Sequence, residues 1–193
     1  PRPHVLLAPV GERVELPQPV ALVPLELARV RARRRLLAPQ AGDPGVQRGQ
    51  RAAERRDDVL VFTSEMLTTP IEVTGPIAMT LYASTTARDT DWTAKLVDVD
   101  SDGFARNVQD GIVRARYRDV SSKAPSLIDP GRVYEYSIDM WATSNTFLPG
   151  HRIRLEVSSS NFPRFDRNLN TGEDAAQGRR VEKATQTIHH SAR

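Results

Sequence analysis

The 193-residue sequence contains no cysteine, and no apolar run in it approaches the roughly 18 residues that a membrane-spanning helix needs. The absence of cysteine excludes disulfide bonds, thiolate metal ligands and a cysteine nucleophile. No Gly-x-Ser-x-Gly motif occurs either, so the sequence lacks the sharp turn that presents the nucleophile of an α/β-hydrolase. The N-terminal residues do not resemble a secretory signal, and we expect a cytoplasmic location without a membrane partner.

Aromatic residues are absent before Phe62, and the basic residues are concentrated in the same N-terminal part. Residues 1–57 carry a net charge of +5 and residues 58–193 a net charge of −2, which together give the +3 of the chain. The dense arginine run at residues 31–35 has no interleaved aromatic residue on which a base could stack. The sequence therefore predicts no nucleic-acid partner.

The sequence divides into two parts of different composition. Residues 1–45, here called the leader, are rich in Arg, Pro and Ala and have no sustained hydrophobic period, so buried area does not obviously offset the cost of ordering them. We predict a mostly disordered leader, with at most a short helix over residues 26–37 between Pro24 and Pro39. Residues 46–193 are predicted to form one folded domain.

From Asp58 onward, polar and apolar residues alternate with the period of a β-strand. The alternation predicts strands within residues 59–64, 71–84, 92–99, 110–118, 134–140 and 152–157. Gly75 and Pro76 are expected to break the second of these. Half-polar strands without long helical segments between them indicate antiparallel sheets packed face to face. We therefore predict an all-β fold, a jelly-roll β-sandwich.

One acidic cluster has the D-x-D-x-D-G spacing of an EF-hand calcium loop: Asp98, Asp100, Asp102 and Gly103. Gln109 stands where the bidentate glutamate of such a loop belongs, and the flanking segments are predicted as strands, whereas an EF-hand has helices there. The favoured interpretation is a hairpin turn in which residues 101–103 supply positive-φ positions.

Other polar patterns are also better explained without a ligand. Arg114, Arg116 and Arg118 recur with period two and could bind a carboxylate or phosphate, but a solvated strand face or a salt-bridged rim is commoner. Adjacent His189 and His190 would point to opposite faces of a strand and are not expected to bind one metal ion. His151 is predicted in a turn and His4 lies in the leader. We predict no metal site and no cofactor.

Three consecutive serines, Ser158, Ser159 and Ser160, end the strand predicted at residues 152–157. A catalytic serine needs a strained turn beside an oxyanion hole, and no glycine stands at the required spacing. Serines at strand ends commonly bond to backbone groups. We predict no catalytic residue in this sequence.

Residues 158–172, SSSNFPRFDRNLNTG, form the most distinctive block, because two phenylalanines, a proline and an Arg-Asp-Arg set follow a strand directly. This block, with LPGHRIRLEV before it and the segments DVLVFTSE and DTDWTAKLVDVDSDGFARNVQDGIVRARYR, resembles the C-terminal domain of the Xaa-Pro dipeptidyl-peptidase and cocaine esterase (CocE/NonD) family of serine hydrolases. The resemblance is continuous over residues 46–190.

The resemblance implies a galactose-binding-domain-like jelly roll that accompanies an α/β-hydrolase domain and a helical cap. Family members cleave Xaa-Pro dipeptides, amino-acid esters or related acyl compounds with a Ser-Asp-His triad, all of it upstream of the matched segment. The resemblance thus implies a non-catalytic accessory domain. Its expected partner is an α/β-hydrolase domain in the same parent chain or in trans, and a homo-oligomer stays an open alternative.

The residues expected to contact that partner are Asn161, Phe162, Arg164, Phe165, Asp166 and Arg167. The alternative is that they pack the loop against its own domain, with Asp166 paired to a nearby arginine. A different alternative function is a free-standing carbohydrate- or ligand-binding jelly roll, in which an exposed Trp92 or Trp141 would stack on a sugar.

Two differences from the family pattern suggest a fragment. The leader lacks the Trp- and Tyr-bearing linker usual before this domain, and three lysines against 24 arginines suggest a GC-rich gene. We expect residues 1–44 to be an out-of-frame translation upstream of a true domain. Family members also continue beyond the segment at residues 186–190 into a further apolar strand, so an unpaired sheet edge is expected here.

Overall fold

The structure is a computed structural model and describes residues 51–119, 124–174 and 177–189. The leader, with its predicted helix, lies outside the described residues. In chain order the elements are α1 (Arg51–Glu54), β1 (Val59–Thr63), β2 (Ile71–Thr85), β3 (Asp91–Val99), β4 (Ala105–Arg114), β5 (Tyr134–Phe147), β6 (Arg152–Ser158) and β7 (Gln186–Ile188). Within these ranges, no helix is both long enough and apolar enough to cross a membrane.

The strands of the described residues form two antiparallel sheets. The first has the order β1-β6-β3-β4 and the second the order β5-β2-β7. The predicted all-β sandwich is confirmed. Tyr136 of β5 and Trp92 of β3 come from different sheets, and their ring centroids lie 5.7 Å apart, so these two aromatic side chains join the sheets at the centre.

The core consists of the inward-facing residues of both sheets. Period-two alternation places every second residue of a strand on the same face, and the buried positions of β2 and β5 follow this rule. Burial of each large apolar side chain stabilises the fold by roughly 1.5–3 kcal/mol. The largest apolar side chains with at most 1% exposure are Trp92, Tyr136, Phe147, Ile138 and Val97.

Gly75 and Pro76 do not break β2, which corrects the prediction. The register between β2 and β5 shifts between Pro76 and Ala78, and the chain bulges there, with Gly75 at φ 114° and Trp141 on the opposing strand at φ 66°. A bulge accommodates the missing N–H of proline while the ladder continues on both sides. For the same reason β5 extends to Phe147, beyond the end predicted at residue 140.

The prediction that Arg114, Arg116 and Arg118 share one strand face is wrong. β4 ends at Arg114, and Ala115–Tyr117 forms a turn of 3-10 helix. The cause is a tertiary contact, because the carboxylate of buried Asp89 accepts hydrogen bonds from the backbone N–H of Arg116 (3.0 Å) and from its Nε (2.7 Å).

One side of the sandwich is closed by a close approach of β4 to β5. An ideal Cβ placed on Gly111 would lie 2.1 Å from the backbone oxygen of Asp139, so only glycine fits there. Next to it, the side-chain amide of Gln109 donates to the carbonyl of Ala142 at 2.7 Å. The two sheets therefore meet through backbone contact on this side.

We expect Gly111→Ala to lower the free energy of unfolding by about 3 kcal/mol, because the added methyl group must displace backbone that belongs to both sheets. Gly131→Ala is the matched control, since no atom lies within 4 Å of its Cβ position and only its φ of 81° resists a side chain. The control should lose about 1 kcal/mol. Urea denaturation measures both, and equal losses would contradict the close approach.

Candidate functional site

The loop of residues 159–174, here called the anchored loop, follows β6 at the end of the first sheet where β3 begins and β4 ends. Three aspartates at this end of the sheet contact the loop or lie next to its partners, and they are at most 3% exposed: Asp89, which precedes β3, Asp91 and Asp110. A buried carboxylate is costly unless it is paired, so the partners of these three residues determine how the loop lies.

The first anchor is Asp110 on β4. Asn161 donates a hydrogen bond from Nδ2 to one carboxylate oxygen at 2.9 Å, and Arg164 places Nη1 2.7 Å from the other. Asn161 and Arg164 belong to the six residues proposed from sequence for docking. Both are used, at least in part, to hold the loop against its own domain.

The second anchor is Asp91 at the start of β3. Arg114 donates from Nε to Asp91 at 2.8 Å and from Nη2 to Asp166 of the loop at 3.2 Å. The hydrogen bond that Arg114 donates to Asp91 raises the pKa of Arg114 above its ordinary value, so the guanidinium stays charged. The pairing of Asp166 with an arginine of its own domain, anticipated as an alternative, is present.

The third anchor is Asp89, which precedes β3. Arg116 donates from Nε to Asp89 and from Nη2 to the carbonyl of Glu173 at 3.1 Å. Asn168 donates from Nδ2 to Asp89 at 3.0 Å and to Asp91 at 2.9 Å, so one amide bridges two buried carboxylates. The middle of the loop is thereby tied to the sheet by charge-assisted hydrogen bonds.

The outer side of the loop carries the remaining proposed residues. Phe162 is 55% exposed, and the guanidinium of Arg167 lies over its ring at 4.3 Å from the centroid. Arg164 lies in the same way over Phe165, at 5.6 Å. Both geometries are cation–π contacts. The loop thus joins an anchored inner side to an outer side of aromatic and arginine side chains, and the docking role of these residues stays a prediction.

Glu156 on β6 is a buried carboxylate next to the loop that the sequence analysis did not single out. It lies on the outer face of the first sheet, yet it is only 3% exposed. Its pKa is raised from the ordinary 4.5 to about 7, mainly by burial and also by the neighbouring carboxylate of Glu54 in α1, while Lys95 and Arg154 act in the opposite direction. Glu54 in turn forms an ion pair with Arg154 at 2.6 Å.

The calcium-like spacing forms a hairpin turn, as favoured. Asp100 Oδ1 accepts the backbone N–H groups of Asp102 (3.1 Å) and Phe104 (2.7 Å), and Gly103 has a φ of 77°. Gly103 alone among residues 101–103 has a positive φ, so the expectation that residues 101 and 102 would also supply positive-φ positions is wrong. Asp98 lies on β3 with its carboxylate 2.8 Å from Nδ1 of His151, so this carboxylate already has a hydrogen-bond partner within the domain.

The serine and histidine candidates have structural contacts. Ser158 Oγ lies 2.6 Å from Thr93 Oγ1 and donates to the carbonyl of Ser160 at 3.2 Å, as expected for a strand-end serine. His189 Nε2 lies 3.1 Å from Ser84 Oγ. His4 and His190 lie outside the described residues.

The two tryptophans have different environments. Trp92 is 1% exposed, so the suggestion that it could stack on a sugar at the surface is wrong. It faces inward because alternation along β3 puts residue 92 on the same face as Ala94 and Leu96 of the core. Trp141 is 64% exposed and lies on the polar side of β5, as predicted.

Sequence reasoning missed the aspartates and the asparagine that hold the loop. One signal in the sequence could have indicated the two buried aspartates. Asp89 and Asp91 stand two residues apart, so their side chains point the same way in an extended chain, and Trp92 beside them is a core residue. Nothing in the sequence paired them with Asn168, which lies 77 residues beyond Asp91.

Replacing Asp91 by alanine should cost at least about 3 kcal/mol of unfolding free energy, because Arg114 and Asn168 would lose a buried partner. The matched control is Asp166→Ala, which removes the exposed partner of the same arginine and should cost less than about 1 kcal/mol. Urea denaturation compares the two, and similar losses would show that burial of the pair does not matter.

We expect the free energy of unfolding to fall as the pH rises from about 4.5 to about 7, through the contribution of Glu156. Its raised pKa means that the folded state binds this proton more tightly than the unfolded state, so the contribution is present at low pH and lost above pH 7. Glu156→Gln should remove this part of the slope and be more stable than the parent at pH 8. Exposed Glu72→Gln should keep the slope, and an unchanged slope in Glu156→Gln would refute the assignment.

Comparison with known proteins gives a consistent family. Residues 27–193 match the family described as the X-Pro dipeptidyl-peptidase C-terminal non-catalytic domain. Cocaine esterase of Rhodococcus sp. (strain MB1 Bresler) is 55% identical over 136 residues, which are 70% of this chain and 24% of that protein. Among solved structures, an aminopeptidase from a marine sediment Thaumarchaeota archaeon matches with a TM-score of 0.70 and 36% sequence identity. An α-amino acid ester hydrolase matches with a TM-score of 0.67 and 33% sequence identity. Each match covers 74% of this chain and 25% of the other chain.

The chain thus spans about a quarter of the length of these relatives. The family match begins at residue 27, within the segment assigned to the leader, and the domain boundary at residue 45 stays a prediction. The resemblance noted in the sequence is confirmed: this chain belongs to the family of C-terminal non-catalytic domains of X-Pro dipeptidyl-peptidases and CocE/NonD hydrolases.

Proposed function

We propose that this chain is the accessory domain of a serine esterase and that it docks on an α/β-hydrolase domain through the outer side of the anchored loop. The observation that supports this surface is the exposed Phe162, with Arg167 over its ring, on a loop whose inner side is bonded to buried aspartates. Aromatic residues and arginine are enriched at the centres of protein interfaces.

Anchoring makes the loop a suitable docking element, because binding then orders little additional chain. A side chain or loop that must be immobilised on association costs free energy, and a preorganised one avoids most of that cost. Here Asn161, Arg164 and Asp166 make the intramolecular contacts, while Phe162 and Arg167 face outward. We assign the holding of the loop to the first three residues and the partner contact to the other two.

Ester cleavage is the favoured activity of the parent enzyme. The relative with 55% identity is a cocaine esterase, and one of the structural relatives is an α-amino acid ester hydrolase. In this proposal the hydrolase domain, in the same parent chain or as a separate subunit, supplies the nucleophile. The β-sandwich contributes a rigid surface that docks beside the substrate entrance.

We expect Phe162→Ala to weaken association with the α/β-hydrolase domain of a CocE/NonD esterase, supplied without its own C-terminal domain, by about tenfold or more. Isothermal titration calorimetry measures the affinity. Leu148→Ala is the matched control, since this leucine is 50% exposed and precedes β6, at the other end of the strand from the loop.

Arg164→Ala should also weaken docking, but partly by freeing the loop from Asp110. Circular dichroism and thermal unfolding verify that each variant is folded. If folded Phe162→Ala binds as tightly as the parent, or if Leu148→Ala loses as much affinity, the assigned surface is wrong.

A further inference from the structure

A cavity of about 300 Å³ lies between the anchored loop, α1 and the outer face of the first sheet. Its size is at the lower end of the range of small-molecule sites. The residues that matter for its chemistry come from β3, β6 and the loop: Lys95, Glu156, Ser158, Asn161, Phe162 and Arg167.

One residue that lines the cavity, Glu156, has a buried hydrogen-bond acceptor without a partner in the part of the chain that the structure describes. Glu156 is 3% exposed, and none of the described residues donates a hydrogen bond to its Oε1. Buried polar atoms in proteins are nearly always bonded, and a buried carboxylate oxygen without a donor is costly. A ligand that brings an N–H donor to this oxygen would remove that cost.

A guanidinium lies at the same cavity. Arg167 is exposed and contacts the ring of Phe162, and within the described part of the chain no carboxylate pairs with it. The other arginine of the lining, Arg56, differs, because Asp58 accepts its Nε–H at 2.8 Å. The guanidinium of Arg167 therefore retains the fork of donors that suits a carboxylate.

We propose that the cavity binds a small zwitterion, an α-amino acid or a related molecule, with its ammonium group on Glu156 and its carboxylate on Arg167. A simple cation fits less well, because the side chains of Lys95 and Arg167 line the cavity and would repel it. A simple anion fits less well, because it would leave Glu156 without a donor. Phe162 supplies an apolar wall for the ligand's side chain.

This site does not depend on docking, so its test uses the 193-residue chain alone. We expect L-leucine to shift the amide resonances of β6 and of residues 158–168 in heteronuclear NMR spectra, with a Kd on the order of 1 mM. Butylammonium and butyrate each carry only one of the two charges. Both should bind at least about tenfold more weakly than leucine.

Two variants locate the site. Binding is measured at pH 8, where the carboxylate of Glu156 is ionised. Glu156→Gln keeps the shape and removes this charge, and Arg167→Gln removes an exposed guanidinium that no carboxylate of the described residues pairs with. Each variant should weaken leucine binding about tenfold. Arg132→Gln is the control, since this exposed arginine pairs with Asp129 away from the cavity, and its leucine affinity should equal that of the parent.

Three results would overturn the proposal. The first is that the amide resonances do not shift when leucine is added to a concentration of about 20 times the expected Kd. The second is that butylammonium binds as tightly as leucine, which would indicate a cation site. The third is that neither variant weakens the binding of leucine. If Glu156→Gln fails to fold, Arg167→Gln with the two single-charge probes still decides between these outcomes.

Discussion

The buried aspartates at the junction of β3 and β4 are the constraint on which the rest of the site depends. Each charge removed from water costs several kcal/mol unless it is matched, so Asp89, Asp91 and Asp110 can lie inside only while their partners stay in place. Those partners are arginines at the end of β4 and polar residues of the anchored loop. The buried charges at this end of the sheet and the path of the anchored loop therefore depend on each other.

The bonds between the buried aspartates and the anchored loop define the two surfaces for which we propose functions. Because its inner side is bonded to the aspartates, the anchored loop has a defined outer side, where Phe162 and Arg167 lie. The same loop also covers the cavity that Glu156 lines. Both surfaces share Phe162 and Arg167, so a ligand in the cavity would change what a docking partner meets.

The β-sandwich also suits the proposed role as an accessory domain. Its sheets are joined by aromatic packing at the centre and by backbone contact at Gly111. A surface loop that its own domain already holds in one conformation costs little further ordering when it binds. Membership in a family of non-catalytic domains agrees with such a division of roles.

Local sequence alone determined the alternating strands, the hairpin turn around Gly103 and the outward side of Trp141, because each follows from the period of extended chain or from the chemistry of a few neighbouring residues. The distinctive loop block was also sufficient to indicate the family. Tertiary structure decided that Gly75 and Pro76 form a bulge, that Asp89 bends the arginine stripe into a 3-10 turn, and that Glu156 is buried. These outcomes depend on which distant segments meet, and that information is absent from any local pattern.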